Sequence, residues 1–334
     1  RSTRAIDAPV AGQLAYDFAG WPGKITGHTP AVSVPEHFVY TRREPLGVVG
    51  IIIPWNFPLI HTLQKMSPAL ACGNCVVFKP AQVASLAVLR LGELIQRAGF
   101  PAGVINILTG RGSLIGAALA AHQDVNKIAL TGSTEVGRSV IRASAGNLKR
   151  LALELGSKAP NIIFADADLK VAVPRSFWAA FGNSGQSCVA GARLFVQASV
   201  FDQVVEQLFE MAQQVRIGHA LDPDSELGPI VDQAQTDTIL SYIQSGLDQG
   251  AKLVCGGKQI TDGDYGKGFY IEPTIFTDIR DDMVIACDEI FGPVLPIFSF
   301  ETEEEVIARA NDTSYGLAAG VWTRDVARAH RLGA

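Results

Sequence analysis

The stretch GVVGIIIPWNFPLIHTLQKMSPALACGNCVVFKP, residues 47–80, decides the fold. Residues 47–53 form a run rich in β-branched side chains that stops at Pro54, the signature of a buried strand. Residues 58–71 then carry apolar side chains at helical spacing, and residues 75–78 are a second short apolar run. Working outward, the alternation continues. A helix over 84–98 ends at Gly99 with Pro101 just beyond, a common helix stop. Residues 104–108 read as a strand, 113–121 as a helix, 127–131 as a strand and 135–145 as a helix. Buried strands alternating with helices predict an α/β fold with an open, mostly parallel sheet covered on both faces.

Past residue 160 the pattern persists with a different texture. A strand over 161–164, a helix over 169–181, a strand over 193–197 and a long helix over 201–216 are expected, with a glycine-rich, loop-like stretch at 256–268. Residues 24–40, with Gly27, Pro30 and Pro35, read as an extended excursion. A domain boundary is placed near Gly156, where LELGSKAP closes a strand with turn residues.

Composition narrows the function. With 334 residues, 48% hydrophobic and 18% charged, the chain suits about two domains with real cores and is not disordered. A net charge of −5 argues against sequence-independent nucleic-acid binding. No apolar run reaches the roughly 18 residues a membrane helix needs. Five scattered cysteines make no disulfide framework and suit a reducing compartment. The N-terminus, RSTRAIDAPV, lacks the apolar core of a signal peptide. The chain opens without Met, and both ends read as cuts through a longer protein.

Three residues stand out chemically. Cys188, in FGNSGQSCVAGAR, is a thiol among small and polar neighbours; it reads as a nucleophile with substrate access or as a bland loop cysteine. Glu154, in LALELG, is a carboxylate in an apolar run; alone it reads as a strand-end charge, but burial would raise its pKa toward that of a general base. Asn56, in IIIPWNFP, follows a strand end, where ligands gather in open α/β sheets; the bland alternative is a turn residue bonding its own backbone. The turn from Thr131 to Gly137, TGSTEVG, links strand to helix and could present N–H groups to a phosphate, yet it is not the G-x-G-x-x-G fingerprint.

Taken together and in order, IIIPWNFP, FKPA, LTGSTEVG, LELGSKAPN, GQSC and EIFGPV resemble the aldehyde dehydrogenase superfamily, over essentially the whole chain. The resemblance implies a Rossmann-like dinucleotide-binding domain (1–22 and 46–156), a bridging β-hairpin used in assembly (23–45) and a catalytic domain (157–334). It implies oxidation of an aldehyde to a carboxylic acid. Cys188 would be the nucleophile, Asn56 and the Cys188 N–H the oxyanion donors, and Glu154 the base for hydrolysis. NAD would be held by Ile52, Ile53, Pro54, Trp55, Lys79, Gln82, Gly112, Gly116, Thr131, Gly132, Ser133, Val136, Gly137, Leu155, Gly156, Glu289 and Phe291. The expected partners are a small aldehyde and further copies of the chain, as homodimer or homotetramer, with no nucleic acid, membrane or metal. The expected location is the cytoplasm, mitochondrial import staying open.

Departures from the family pattern carry expectations of their own. Gln82 stands where relatives commonly have Glu, which removes the charge that would repel a 2′-phosphate and opens the site to NADP. Ser157 replaces a usual glycine and is expected to tighten the turn beside the active site. Gly182 and Ser184 hint at a roomier pocket floor. Cys72 and Cys75 form a CxxC that reads as core packing rather than a redox pair or half a zinc site. The rival readings are a non-catalytic relative with a binding or structural role and a coenzyme A-acylating dehydrogenase. The presence of Cys188, Asn56 and Glu154 together argues against both.

Overall fold

In the computed structural model, which describes residues 3–333, the run after Gly47 is the central strand of a parallel sheet. The chain forms two compact units that divide between Leu155 and Gly156. In chain order the first contains α1 (Ala8–Ala19), β1 (Val48–Ile52), α2 (Pro58–Ala71), β2 (Cys75–Lys79), α3 (Ser85–Arg97), β3 (Ile105–Ile107), α4 (Ala117–Ala121), β4 (Lys127–Thr131), α5 (Thr134–Ala143) and β5 (Arg150–Glu154).

Its five strands are ordered β3-β2-β1-β4-β5, and every neighbouring pair is parallel. The order reverses at β1, so a topological switch point lies between β1 and β4. The period-2 alternation of β1 sorts its side chains. Val49 and Ile51 pack with Leu63, Met66 and Val88 of α2 and α3, while Val48 and Ile52 face Leu119 and Val140 of α4 and α5. Each fully buried aliphatic side chain of this kind stabilises by roughly 1.5–3 kcal/mol. Gly50 is required by the same packing: a Cβ there would sit 2.6 Å from Ile128 Cδ1 and 3.0 Å from Leu119 Cγ. The N-terminus of α2 is capped from a distance, since the buried Asp7 carboxylate accepts the N–H groups of Leu59 (3.2 Å) and Ile60 (2.8 Å).

Two expectations change here. The helix expected over 113–121 divides into a π-helical turn, Gly112–Gly116, and the short α4. Between Ile25 and Gly47 no strand forms. The chain turns back on itself, and its arms meet where Thr41 N–H donates to His28 O and His28 N–H to Thr41 Oγ1, both at 2.8 Å. Almost every residue of this segment is exposed, and an isolated two-stranded ribbon is marginal in water.

The second unit contains β6 (Pro160–Ile163), α6 (Leu169–Phe181), β7 (Arg193–Gln197), α7 (Phe201–Gln214), α8 (Gln233–Asp248), β8 (Lys252–Cys255), β9 (Gln259–Ile260), β10 (Tyr270–Ile271), β11 (Thr274–Thr277), α9 (Val284–Cys287), β12 (Val294–Phe300), α10 (Glu303–Asn311), β13 (Gly320–Trp322) and α11 (Val326–Gly333). Its six-stranded sheet runs β13-β6-β7-β12-β11-β8, parallel except for β11 with β8. Strand β12 lies at its centre, and Phe298 stacks on Phe195 of β7 at 4.8 Å between ring centroids. Helices α6 and α7 cover one face through Val173, Phe177, Val204 and Leu208; α8, α9 and α10 cover the other through Ile239, Ile243, Ile285 and Val306. Strand β9, inside the stretch expected to be loop, pairs with β10 just beyond it as a small antiparallel ribbon.

Candidate active site

In the first unit the singled-out residues collect at one edge of the sheet, the carboxyl ends of its strands. Ile52 ends β1, with Ile53, Pro54, Trp55 and Asn56 following; Lys79 ends β2, with Gln82 in the next turn. Gly112 and Gly116 follow β3, Thr131 through Gly137 follow β4, and Glu154 and Leu155 close β5. The positions are fixed locally. Ile53 N–H donates to Lys79 O (3.3 Å) and Gly132 N–H to Glu154 O (3.0 Å), which ties the ends of neighbouring strands together. Ser133 caps α5, its Oγ accepting the Val136 N–H at 3.2 Å. A Cβ on Gly137 would come within 2.6 Å of Leu155 Cδ2, so glycine lets α5 approach β5. Gly116 lies against Ile52 and Lys79, each 3.8 Å from where its Cβ would stand.

Three polar groups at this edge are buried. Lys79 donates to Pro80 O at 2.8 Å, and burial lowers its pKa. Thr131 Oγ1 has no hydrogen-bond partner among the described residues. His61, one turn into α2 and edge-on to Phe57 at 6.3 Å, is driven down to about 4 by burial, then by the charge of Lys65, and packs as a neutral ring behind the Asn56 turn.

In the second unit the singled-out residues sit at the opposite end of the strands. Gly156 and Ser157 precede β6, Cys188 precedes β7, and Glu289 and Phe291 precede β12. These three strands are parallel neighbours, so the residues share one amino edge. Cys188 is half-buried in the connection from α6 to β7. Just before it, Asn183 (φ 55°) and Ser184 (φ 56°) adopt left-handed backbone, and across from them so does Phe291 (φ 55°). Such conformations cost about 1–3 kcal/mol each and persist where the surroundings enforce them.

The enforcing contacts run from side chain to backbone. Gln186 Nε2 donates to Asn183 O (3.0 Å) and its Oε1 accepts Val231 N–H (3.0 Å), while Ser184 Oγ donates to Gly228 O (2.7 Å). Gln235 of α8 donates to Ile290 O and Phe291 O. Ser157 Oγ donates to Cys188 O, and Ser157 N–H to Glu289 Oε1 at 2.9 Å. A Cβ on Gly156 would stand 2.2 Å from Glu289 Oε2, so this carboxylate lies directly on the glycine. Burial raises the pKa of Glu289, opposed by the Ser157 N–H and the charge of Lys158. Lys158 is itself enclosed, its Nζ without a hydrogen-bond partner among the described residues, and burial brings its pKa down to about 7.

Several expectations need correction. Glu154 is exposed, because β5 is an edge strand whose residues alternate outward. Cys72 and Cys75 are both exposed, at the end of α2 and the start of β2, and are not core. The Ser184 hydroxyl is engaged at Gly228, and a Cβ on Gly182 would meet open space. Cys255 is buried and pushed up to about 11, and Cys287 is also raised; burial is the leading cause in both and keeps them as thiols. Gln186, Gln235 and Lys158 carry structural weight that the sequence reading missed. The polar run around Cys188 and the lysine inside LELGSKAP were the available signals. Among the described residues no cluster of His, Cys, Asp or Glu could hold a metal ion, and no helix is long and apolar enough to cross a membrane.

Compared with known proteins, residues 1–334 match the aldehyde dehydrogenase family. The chain is 52% identical over 314 residues to retinal dehydrogenase 2 of Gallus gallus, covering 93% of the chain and 60% of that protein. It is 50% identical over 328 residues to the mitochondrial aldehyde dehydrogenase of Mesocricetus auratus, covering 98% of the chain and 65% of that protein. The chain thus spans 60–65% of the length of these relatives. An NAD+ complex of aldehyde dehydrogenase from Bacillus cereus superposes with a TM-score of 0.97 at 43% identity, over 99% of this chain and 67% of the other.

Proposed function

The chain belongs to the aldehyde dehydrogenase family, and we propose that the protein oxidises an aldehyde to a carboxylic acid through covalent catalysis by Cys188. The observation that carries this reading is the setting of Cys188. It is a half-buried thiol on a loop held in left-handed backbone by buried side chains, within a chain that matches the family from end to end.

The residues of the first unit fit a dinucleotide. The carboxyl edge at the switch point is where such ligands bind in open α/β sheets. It offers an unpartnered buried hydroxyl (Thr131), a buried amine (Lys79), the small Gly116 and the N-terminus of α5. In this reading Ile52–Trp55, Lys79, Gln82, Gly112 and Gly116 hold the adenosine half, and Thr131–Gly137 lie under the pyrophosphate. Leu155, Gly156, Glu289 and Phe291 serve the nicotinamide half. When bound, NAD supplies the hydride acceptor. Gln82 is exposed and uncharged, so NADP is accepted as well.

The chain's own residues do the rest. The Cys188 thiolate adds to the aldehyde carbon, forming a C–S bond and moving the carbonyl electron pair onto oxygen. The Asn56 amide and the Cys188 N–H stabilise that oxyanion; such a donor is worth roughly 10²–10³ in rate. After oxidation a thioester remains on Cys188. Glu154 takes a proton from water, which attacks the thioester carbon; the C–S bond breaks and the acid leaves. The same reading makes the protein a homodimer or homotetramer.

The test follows reduced-nicotinamide absorbance with a short aldehyde, offering NAD and NADP separately, beside Cys188→Ala. Signal that requires Cys188, with free carboxylic acid as product, is expected. An acyl-coenzyme A product formed only when coenzyme A is added would favour the acylating alternative. Silence with both dinucleotides would favour a non-catalytic relative.

A further inference from the structure

Ser157 is 3% exposed and makes two contacts that converge from opposite sides. Its hydroxyl donates to the carbonyl oxygen of Cys188, and its N–H donates to Glu289 Oε1 at 2.9 Å. The two contacts have different chemical origins. Any residue but proline supplies the N–H at this position, whereas only a hydroxyl side chain reaches the Cys188 carbonyl. The bonded carbonyl belongs to the peptide plane that follows Cys188, so holding it restricts rotation about the Cys188 Cα–C bond. On the far side the same loop is fixed by Gln186 and Ser184. The loop is therefore held at both flanks of the thiol, and the Ser157 hydroxyl makes a contact at Cys188 itself.

We propose that Ser157 is a positioning residue: its hydroxyl holds the Cys188 segment in reactive orientation, while its amide independently seats Glu289. This goes beyond the functional reading and rests on it for the role of Cys188. It gives the serine that replaces a glycine in LELGSKAP a function on the nucleophile side alone. Removing the hydroxyl weakens thiol chemistry and leaves the dinucleotide side untouched, because the amide and Glu289 remain.

The experiment measures, by site-resolved mass spectrometry, the rate at which iodoacetamide alkylates Cys188 in wild type, Ser157→Ala and Ser157→Thr, without dinucleotide. The exposed Cys72 and Cys75 serve as internal references, and the buried Cys255 reports an intact fold. Loss of one hydrogen bond is expected to slow Cys188 alkylation in Ser157→Ala by roughly 5- to 30-fold. Threonine should restore the rate and Cys255 should stay protected. Steady-state kinetics should show kcat lowered by a similar factor and KM for NAD within about twofold of wild type. Alkylation of Ser157→Ala at or above the wild-type rate, or of Ser157→Thr as slow as alanine, would overturn the proposal. Labelling of Cys255 in Ser157→Ala would overturn it too, by showing a general structural role. A wild type without aldehyde-dependent reduction of either dinucleotide would refute the functional reading while the alkylation rates still decide the clamp.

Discussion

The carboxyl edge of the first sheet and the amino edge of the second are built by different means. At the first edge, positions are set chiefly by backbone: strand ends bonded to one another and glycines at 116 and 137 that let elements approach, with a single side-chain cap at Ser133. At the second, they are set by side chains reaching backbone, from Ser157, Ser184, Gln186 and Gln235. The first edge obeys the general rule for open α/β sheets; the second sits at the strand ends where that rule expects nothing. A surface made of backbone N–H groups and small residues suits a large anionic ligand. A nucleophile needs its own peptide held still, and side-chain tethers do that.

The widest break between the two regions should come from Cys188→Ala. Aldehyde oxidation should fall by at least about 10³-fold, while dinucleotide affinity, measured by fluorescence titration, stays within about twofold. Loss of both would mean that the edges are not separable.

Next in size is the buried Lys158. In the unfolded chain it keeps its proton to about pH 10.5, and in the fold it releases it near pH 7. Between those values the unfolded state binds the extra proton, so stability rises with pH, by up to about 1.4 kcal/mol per unit. Below pH 7 both states are charged and this slope vanishes. Urea unfolding of wild type and Lys158→Met at pH 6.5, 7.5, 8.5 and 9.5 should show the slope in wild type only. Parallel curves would remove the buried charge from the account of the second edge.

Gly137→Ala probes the first edge. Its new methyl meets Leu155, and overpacking of this kind costs about 1–3 kcal/mol. Thermal unfolding should show the loss, and dinucleotide affinity should fall while Cys188 alkylation is unchanged. Ser133→Ala should cost the least, about 1 kcal/mol for a lost helix cap, read by the same melting experiment.

The difference between the edges also explains what the sequence disclosed. The β-branched run at β1 and the glycine and proline punctuation predicted β1, β2, β4, α6 and β7 closely, because burial on both faces and backbone geometry leave their mark in local pattern. The first edge was legible for the same reason: its residues lie where strands end. The second edge was legible mainly through resemblance. No periodicity says that Ser157 reaches Cys188, that Gln235 fixes Phe291, or that Lys158 is enclosed, since each tie joins residues far apart in sequence. Exposure was the other blind spot. Glu154, Cys72 and Cys75 lie in apolar surroundings along the chain, yet they face outward because of where their strands and helix ends fall.

The central claim, that Cys188 carries the acyl group and Glu154 drives its release, is tested most directly by acid-quenching Glu154→Gln after mixing with aldehyde and NAD. The Cys188 peptide is then weighed by mass spectrometry. The account predicts a peptide heavier by the mass of the aldehyde less two hydrogens, accumulating in Glu154→Gln above its level in wild type. An unmodified Cys188 peptide alongside sustained acid production, or the acyl group on another residue, would contradict it.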